Sequence, residues 1–318
     1  MRYVLRADAS RSIGAGHVMR SSAIAEELIA RGRNVIFVGQ ISGLPWVAER
    51  IACLGFSQIY ENPKEFNSNP ESDILILDTY EIDIFESFIK IRKWLHTVVI
   101  VDELTPKYEC TLRIHPGLDS NWWNDSETPI LAGPKYIPIR TSLHKISQIH
   151  YDKTRSLKIA VVAGGSDPHN LVKEIANILA KIPGLFEVSL FTTSNSNLTL
   201  DSRFKYIQVG EQLDELTRDV DLVITTASTS CLEFLARGIC VGIVCAVDNQ
   251  RQYYDSLGKL GVASQLGYRT LGNQWEIDER KIYSLLTSSD LRIALIAKAV
   301  GLIDFNGASR IVDAITNL

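Results

Sequence analysis

No stretch of this 318-residue chain comes near the ~18 consecutive apolar residues of a membrane span. No basic segment followed by an apolar core and a small-residue cleavage site opens it, so no secretory signal is read and a cytoplasmic protein is expected. Basic charge is not in excess. Lys and Arg total 33 against 37 Asp and Glu, a formal net charge of -4, which argues against a duplex nucleic-acid partner. Cysteine is sparse: five residues, an odd number, none in CxxC spacing. Neither a zinc site nor a disulfide framework is read, and buried reduced thiols are expected. Heptads, short repeats and low-complexity tracts are also missing.

What is present is alternation. Short apolar runs at Tyr3–Ala7, Val35–Val38, Ile74–Leu77 and Val98–Val101 are separated by helical patterns at 17–31, 45–54 and 83–94. Apolar strands between amphipathic helices imply a parallel sheet covered on both faces. The stretch 116–154, with Pro116, Pro129, Pro134 and Pro138 and the pair Trp122-Trp123, breaks the rhythm and reads as a long irregular connection. Alternation resumes at Leu157–Val162, Val188–Phe191, Leu222–Thr225 and Val241–Cys245, with a helix expected to open at Pro168. Residues 290–318 read as two helices split around Asn306-Gly307. The expected fold class is α/β: two Rossmann-like, doubly wound parallel-sheet domains, 1–150 and 151–318, the last helix packing back on the first.

Open α/β sheets bind ligands at the carboxyl ends of their strands. There the first domain carries GAGHVMR, residues 14–20. Gly14 and Gly16 permit a tight turn, and His17 sits at a helix N-terminus, which disfavours the imidazolium and so suits a general base. A helix-capping turn with an incidental histidine fits the same residues. Asp8, Asp78, Tyr80 and Asp102 also follow strands at this edge, where a lone residue is more often a cap. In the second domain, Gly164-Gly165-Ser166 opens a corner suited to phosphate or to plain capping. The run Ala227-Ser228-Thr229 leads into a helix with Glu233 one turn in, placed for ribose hydroxyls or merely exposed. Asn249 and Gln250 fit either a sugar contact or a surface turn.

Together, RADASRSIGAGHVMR, LDTYEID at 77–83, VDE at 101–103, GPKYIPIR at 133–140, AGGSDPHNLV at 163–172, the Ala227-Ser228 to Glu233 spacing, DNQ at 248–250 and DFNGASR at 304–310 resemble the PseG/SpsG family of UDP-sugar hydrolases. The match runs almost end to end. It implies a GT-B-like fold with the active site in a cleft. It also implies hydrolysis of UDP-2,4-diacetamido-2,4,6-trideoxy-β-L-altropyranose, with metal-independent, inverting attack of water at C1.

Carried onto this chain, the resemblance makes His17 the base. Gly14, Gly16, Tyr80 and Asn249 line the sugar and water site, and Gly165, Ser166, Ser228 and Glu233 hold the nucleotide diphosphate. The catalytic candidates are His17, Asp8 and Tyr80. Gly14, Gly16, Arg20, Asp78, Asp102, Arg140, Gly164, Gly165, Ser166, Ala227, Ser228, Thr229, Glu233, Asn249 and Gln250 are the substrate-binding candidates. The expected partners are a UDP-sugar and water, with no cofactor, no metal, no nucleic acid and no integral membrane segment. A monomer is expected, a dimer being the alternative. Two other readings stand beside hydrolysis: a GT-B glycosyltransferase using a UDP-sugar donor, and a non-catalytic UDP-sugar sensor.

Overall fold

The computed structural model describes residues 1–102, 109–119, 128–143, 155–192, 200–210 and 212–318. Trp122 and Trp123 lie outside these. The chain divides into two units, Met1–Ser142 with Asp304–Leu318, and Leu143–Ile303.

The strands of the first unit are β1 (Arg2–Ala7), β2 (Ala9–Ser10), β3 (Asn34–Val38), β4 (Ile41–Ser42), β5 (Gln58–Tyr60), β6 (Asp73–Asp78), β7 (His96–Ile100), β8 (Leu112–His115) and β9 (Ile130–Ala132). Seven form one parallel sheet in the order β5-β3-β1-β6-β7-β8-β9, and β2 pairs with β4 beside it. Its helices include α1 (Gly16–Ala30), α2 (Pro45–Cys53) and α3 (Ile82–Phe85). Side chains alternate across a strand, so β1 feeds two cores. Tyr3 and Leu5 join α1 and the C-terminal residues Ile311, Val312 and Ile315, whereas Val4 joins Leu75, Leu77, Phe85 and Phe88 on the opposite face.

The second unit repeats the plan. Its strands are β10 (Leu157–Val162), β11 (Phe186–Thr192), β12 (Phe204–Gln208), β13 (Leu222–Thr226), β14 (Cys240–Cys245), β15 (Ser264–Arg269) and β16 (Trp275–Ile277). They run β12-β11-β10-β13-β14-β15-β16, parallel except for the β15–β16 hairpin. The helices are α4 (Leu171–Lys181), α5 (Leu213–Leu216), α6 (Thr229–Arg237), α7 (Arg251–Leu260), α8 (Glu279–Thr287) and α9 (Ser289–Ala299), and the chain then re-enters the first unit as α10 (Gly307–Thr316). Arg31 of α1 holds α10 through Asp313 at 2.5 Å and the Ser309 hydroxyl at 2.7 Å.

Several boundaries differ from expectation. The first unit ends at Ser142 rather than 150. Its last turn is tied to α1, because the Thr141 N–H and hydroxyl both donate to Glu26, at 2.8 and 3.0 Å. The helix expected over 83–94 is a short α-helical turn that widens into a π-helix at Glu86–Ile91. The helix expected from Pro168 begins at Leu171, where the Asp167 carboxylate accepts from Leu171 N–H at 2.8 Å and Val172 N–H at 3.0 Å. The last two helices part over residues 300–306. The 116–154 stretch supplies strand β9 to the sheet.

All five cysteines are free. Burial pushes the Cys231 and Cys240 thiols up to about 12, which makes them unreactive, but Cys53 is exposed, against expectation.

Candidate active site

Each sheet has one point where the strand order reverses. In the first, β1 connects outward to β3, while β6 on its other side connects onward to β7. In the second, β10 and β13 stand in the same relation. The crevice outside the carboxyl ends of such a pair is the binding position of an open α/β sheet. The glycine turn of 14–20, Asp78, the 164–166 corner and the 227–229 turn stand at or beyond the ends of these four strands, while Asp102 follows the neighbouring β7 and Asn249-Gln250 the neighbouring β14.

After β1, Gly14 takes a left-handed conformation at φ 82° and turns the chain into α1. His17, Arg20 and Ser21 are then related by i, i+3 and i+4 spacing and share a face of the helix. That face meets the end of β6. Asp78 is fully buried and accepts from Arg20 Nε and Nη2, both at 2.6 Å, and from the Ser21 hydroxyl at 3.0 Å. Arg20 also reaches Asp102, beyond β7, at 3.5 Å. Tyr80 donates its hydroxyl to Asp102 and sets its ring edge-on against His17, with centroids 4.4 Å apart.

The electrostatics follow from this packing. His17 is 8 % exposed, and among the described residues its ring makes no hydrogen bond. Burial lowers its pKa below 6.5, although Asp78, Asp102 and Asp8 pull the other way. The ring is therefore neutral at pH 7, the form a base requires. Burial works against the Arg20 charge too, but Asp78 overcomes it and the guanidinium is held well above its ordinary value. Burial, reinforced by Asp102, keeps the Tyr80 phenol protonated.

Asp8 is differently placed. Arg6 and Asp8 share one side of an extended segment and form a bidentate pair at 2.6 and 2.7 Å. Asp8 also accepts from Gln40 N–H at 2.7 Å, so its acceptor sites are largely committed to the scaffold. The i, i+2 spacing of an arginine and an aspartate at a strand end was the signal for that pair. Arg140 is buried at the end of the first unit.

In the second unit, Gly164 at φ 87° turns the chain away from β10, and Gly165 and Ser166 follow. The donors at the start of α4 are taken by Asp167. The start of α6 is different. Ser228 stands at its N-cap with its hydroxyl 3.0 Å from Thr226 Oγ1, and no side chain caps the helix. Among the described residues neither the Thr229 nor the Ser230 N–H has a backbone acceptor. Ala227 is buried, and Glu233 is half-buried one turn along α6. Beyond β14, Gln250 turns inward to accept from Ala246 N–H at 2.8 Å, a turn-stabilising contact, while Asn249 is exposed. Among the described residues no three His, Cys, Asp or Glu side chains gather as metal ligands, and no helix is long and apolar enough to cross a membrane.

No protein-family profile matches the chain. It is 22 % identical to the spore coat polysaccharide biosynthesis protein SpsG of Bacillus subtilis, over 98 % of this chain and 97 % of that one. It is also 22 % identical to the UDP-2,4-diacetamido-2,4,6-trideoxy-beta-L-altropyranose hydrolase of Campylobacter jejuni, over 84 % of this chain and 100 % of that one. A protein of Methanocaldococcus jannaschii, MJ1062, is 27 % identical over 80 % of this chain, which spans only 58 % of that longer protein. Among solved structures, MurG of Acinetobacter baumannii superposes with a TM-score of 0.65 at 12 % identity, each chain covered fully. The spinosyn rhamnosyltransferase SpnG, complexed with thymidine diphosphate, does so with a TM-score of 0.62 at 12 % identity, over 98 % of this chain and 100 % of that one. With two parallel-sheet α/β units and these neighbours, the chain has the GT-B fold and is a homologue of SpsG and of the altropyranose hydrolase.

Proposed function

We propose that this protein is an enzyme acting on a UDP-sugar at its anomeric carbon, and that it hydrolyses a UDP-activated diacetamido-trideoxyhexose with inversion. The observation that carries the reading is His17: a buried, neutral imidazole at the reversal point of the first sheet, braced by Tyr80. A water molecule attacks C1, its proton passes to His17, and the bond from C1 to the diphosphate oxygen breaks. UDP leaves as the anion, and the free hexose carries the opposite anomeric configuration. The reading includes a cytoplasmic location and a monomer.

The diphosphate is assigned to the second unit. The uncapped N-terminus of α6, with Ser228 and Thr229, offers N–H and hydroxyl donors to an anion. At the start of α4 the Leu171 and Val172 N–H groups are already satisfied by Asp167, so Gly164, Gly165 and Ser166 of the preceding turn are assigned the secondary phosphate contacts. Glu233 is assigned to the ribose hydroxyls. Glu233→Ala is expected to weaken UDP binding by about 1.5–3 kcal/mol, the usual worth of a charged hydrogen bond. Calorimetric affinity equal to that of the unaltered protein removes the ribose role.

Donors of this kind can hold a diphosphate without a cation. Activity is therefore expected to survive EDTA unchanged, and loss with EDTA that magnesium restores refutes the metal-free mechanism.

The transferase reading draws on the fold, because the solved neighbours named above include a rhamnosyltransferase. Incubation with UDP-sugars without any acceptor separates the two. Release of UDP together with free sugar supports hydrolysis, whereas UDP release that depends on an added acceptor supports transfer.

A further inference from the structure

The cluster beneath His17 contains more than hydrolysis by a lone base requires. Four chain segments converge there: the start of α1 with His17, Arg20 and Ser21, the end of β6 with Asp78, the turn after it with Tyr80, and the end of β7 with Asp102. Arg20 brings one positive charge and the two aspartates bring two negative charges, all on side chains at most 11 % exposed. Asp78 is bound at both oxygens by Arg20 and again by Ser21. Asp102 is held at 3.5 Å from Arg20 and accepts the Tyr80 hydroxyl. Arg20 thus sits closer to Asp78 than to Asp102.

We propose that Asp102 is a positioning residue, not a substrate contact. It fixes the Tyr80 phenol edge-on against His17 and, with Asp78, supplies negative charge that favours His17 taking the proton from water. This assignment rests on His17 being the base. Asp78, Asp102 and Asp8 all favour the protonated ring, and among the described residues none of these carboxylates hydrogen-bonds the imidazole. The Tyr80 O–H is committed as a donor to Asp102, so Tyr80 presents oxygen lone pairs rather than a donor to its other neighbours.

The charged groups acting on the ring come from every segment around it: Asp8 after β1, Arg20 on α1, Asp78 at the end of β6 and Asp102 after β7. Removing the charge of Asp102 while keeping its shape therefore has a definite sign. Asp102→Asn is expected to lower the pKa of His17 further, by about one unit. The acid limb of the kcat/KM profile moves to lower pH by the same amount, while the plateau of kcat falls about tenfold to a hundredfold and KM changes little. A weaker base that works over a wider acid range is not what loss of packing produces. Tyr80→Phe keeps the ring against His17 and leaves Asp102 charged, so it is expected to leave the acid limb in place.

The deciding measurement does not need turnover. The His17 imidazole is titrated by NMR in the ligand-free protein, its resonance assigned by its disappearance in His17→Ala. A downward shift in Asp102→Asn, absent in Tyr80→Phe, supports the proposal. An unmoved His17 titration in Asp102→Asn overturns it, and so does an equal shift in both variants. If the titration shifts but His17→Ala retains full activity, the assignment of His17 as base fails while the electrostatic coupling to Asp102 stands.

Discussion

His17→Ala is expected to lower kcat by about 10²–10⁴, the usual weight of general base catalysis, with little change in affinity for UDP. The split follows from the assignment of roles. The imidazole belongs to α1 of the first unit, whereas the nucleotide is assigned to Ser228, Thr229 and Glu233 at the start of α6 in the second. The pH dependence sharpens the expectation. An ordinary histidine loses half its base form near pH 6.5. Burial holds His17 below that value. Protonation removes the base, so activity is lost as pH falls through this lowered pKa, and the acid midpoint lies below pH 6.5. A His17→Ala protein with near-normal turnover contradicts the assignment, as does a wild-type rate that falls with an acid midpoint above 6.5.

The second large effect is on stability. Asp78 is fully buried and provides the main neutralising charge for Arg20, which is itself 5 % exposed. Removing one member of a buried ion pair leaves the other desolvated, at a cost of about 3–5 kcal/mol. Asp78→Ala is therefore expected to destabilise the first unit by that amount in urea unfolding. A cost below about 1 kcal/mol, the range of exposed pairs, shows that Arg20 finds another partner or water, and that the cluster is not the closed unit described here.

The alternating plan and the residues at the two reversal points were legible because they depend on local patterns. Continuous apolar runs mark strands covered on both faces, and glycine followed by a polar residue marks the turn beyond each. The strands that went unread have a physical explanation. β2 and β4 are two residues each, β5, β9 and β16 three and β8 four, too short to show a period. β12 at the sheet edge is largely exposed, and β15 carries only one buried residue, Leu266. The start of α4 was misplaced because Pro168 suits a first helical turn, while the cap that decides the start is Asp167, which reaches forward to Leu171 and Val172.

Within the site, sequence reasoning placed Asp78, Tyr80 and Asp102 at the right edge but could not pair them. That Arg20 chelates Asp78 and Tyr80 donates to Asp102 depends on the order β1-β6-β7, a long-range fact that no local window contains. Asp8 shows the converse. Its position just after the first strand made it a candidate, and its commitment to Arg6 and Gln40 emerges only from the folded chain.

The central claim is that UDP is released from a UDP-diacetamido-trideoxyhexose by inverting attack of water. It is tested most directly by following the reaction by proton NMR without any acceptor, in water enriched in oxygen-18. The account predicts equimolar UDP and free hexose, a first-formed anomer opposite to that of the substrate, and the label on the C1 hydroxyl and not on UDP. A first-formed anomer matching the substrate contradicts it, as does label in the diphosphate or UDP release only when a second sugar or lipid acceptor is added.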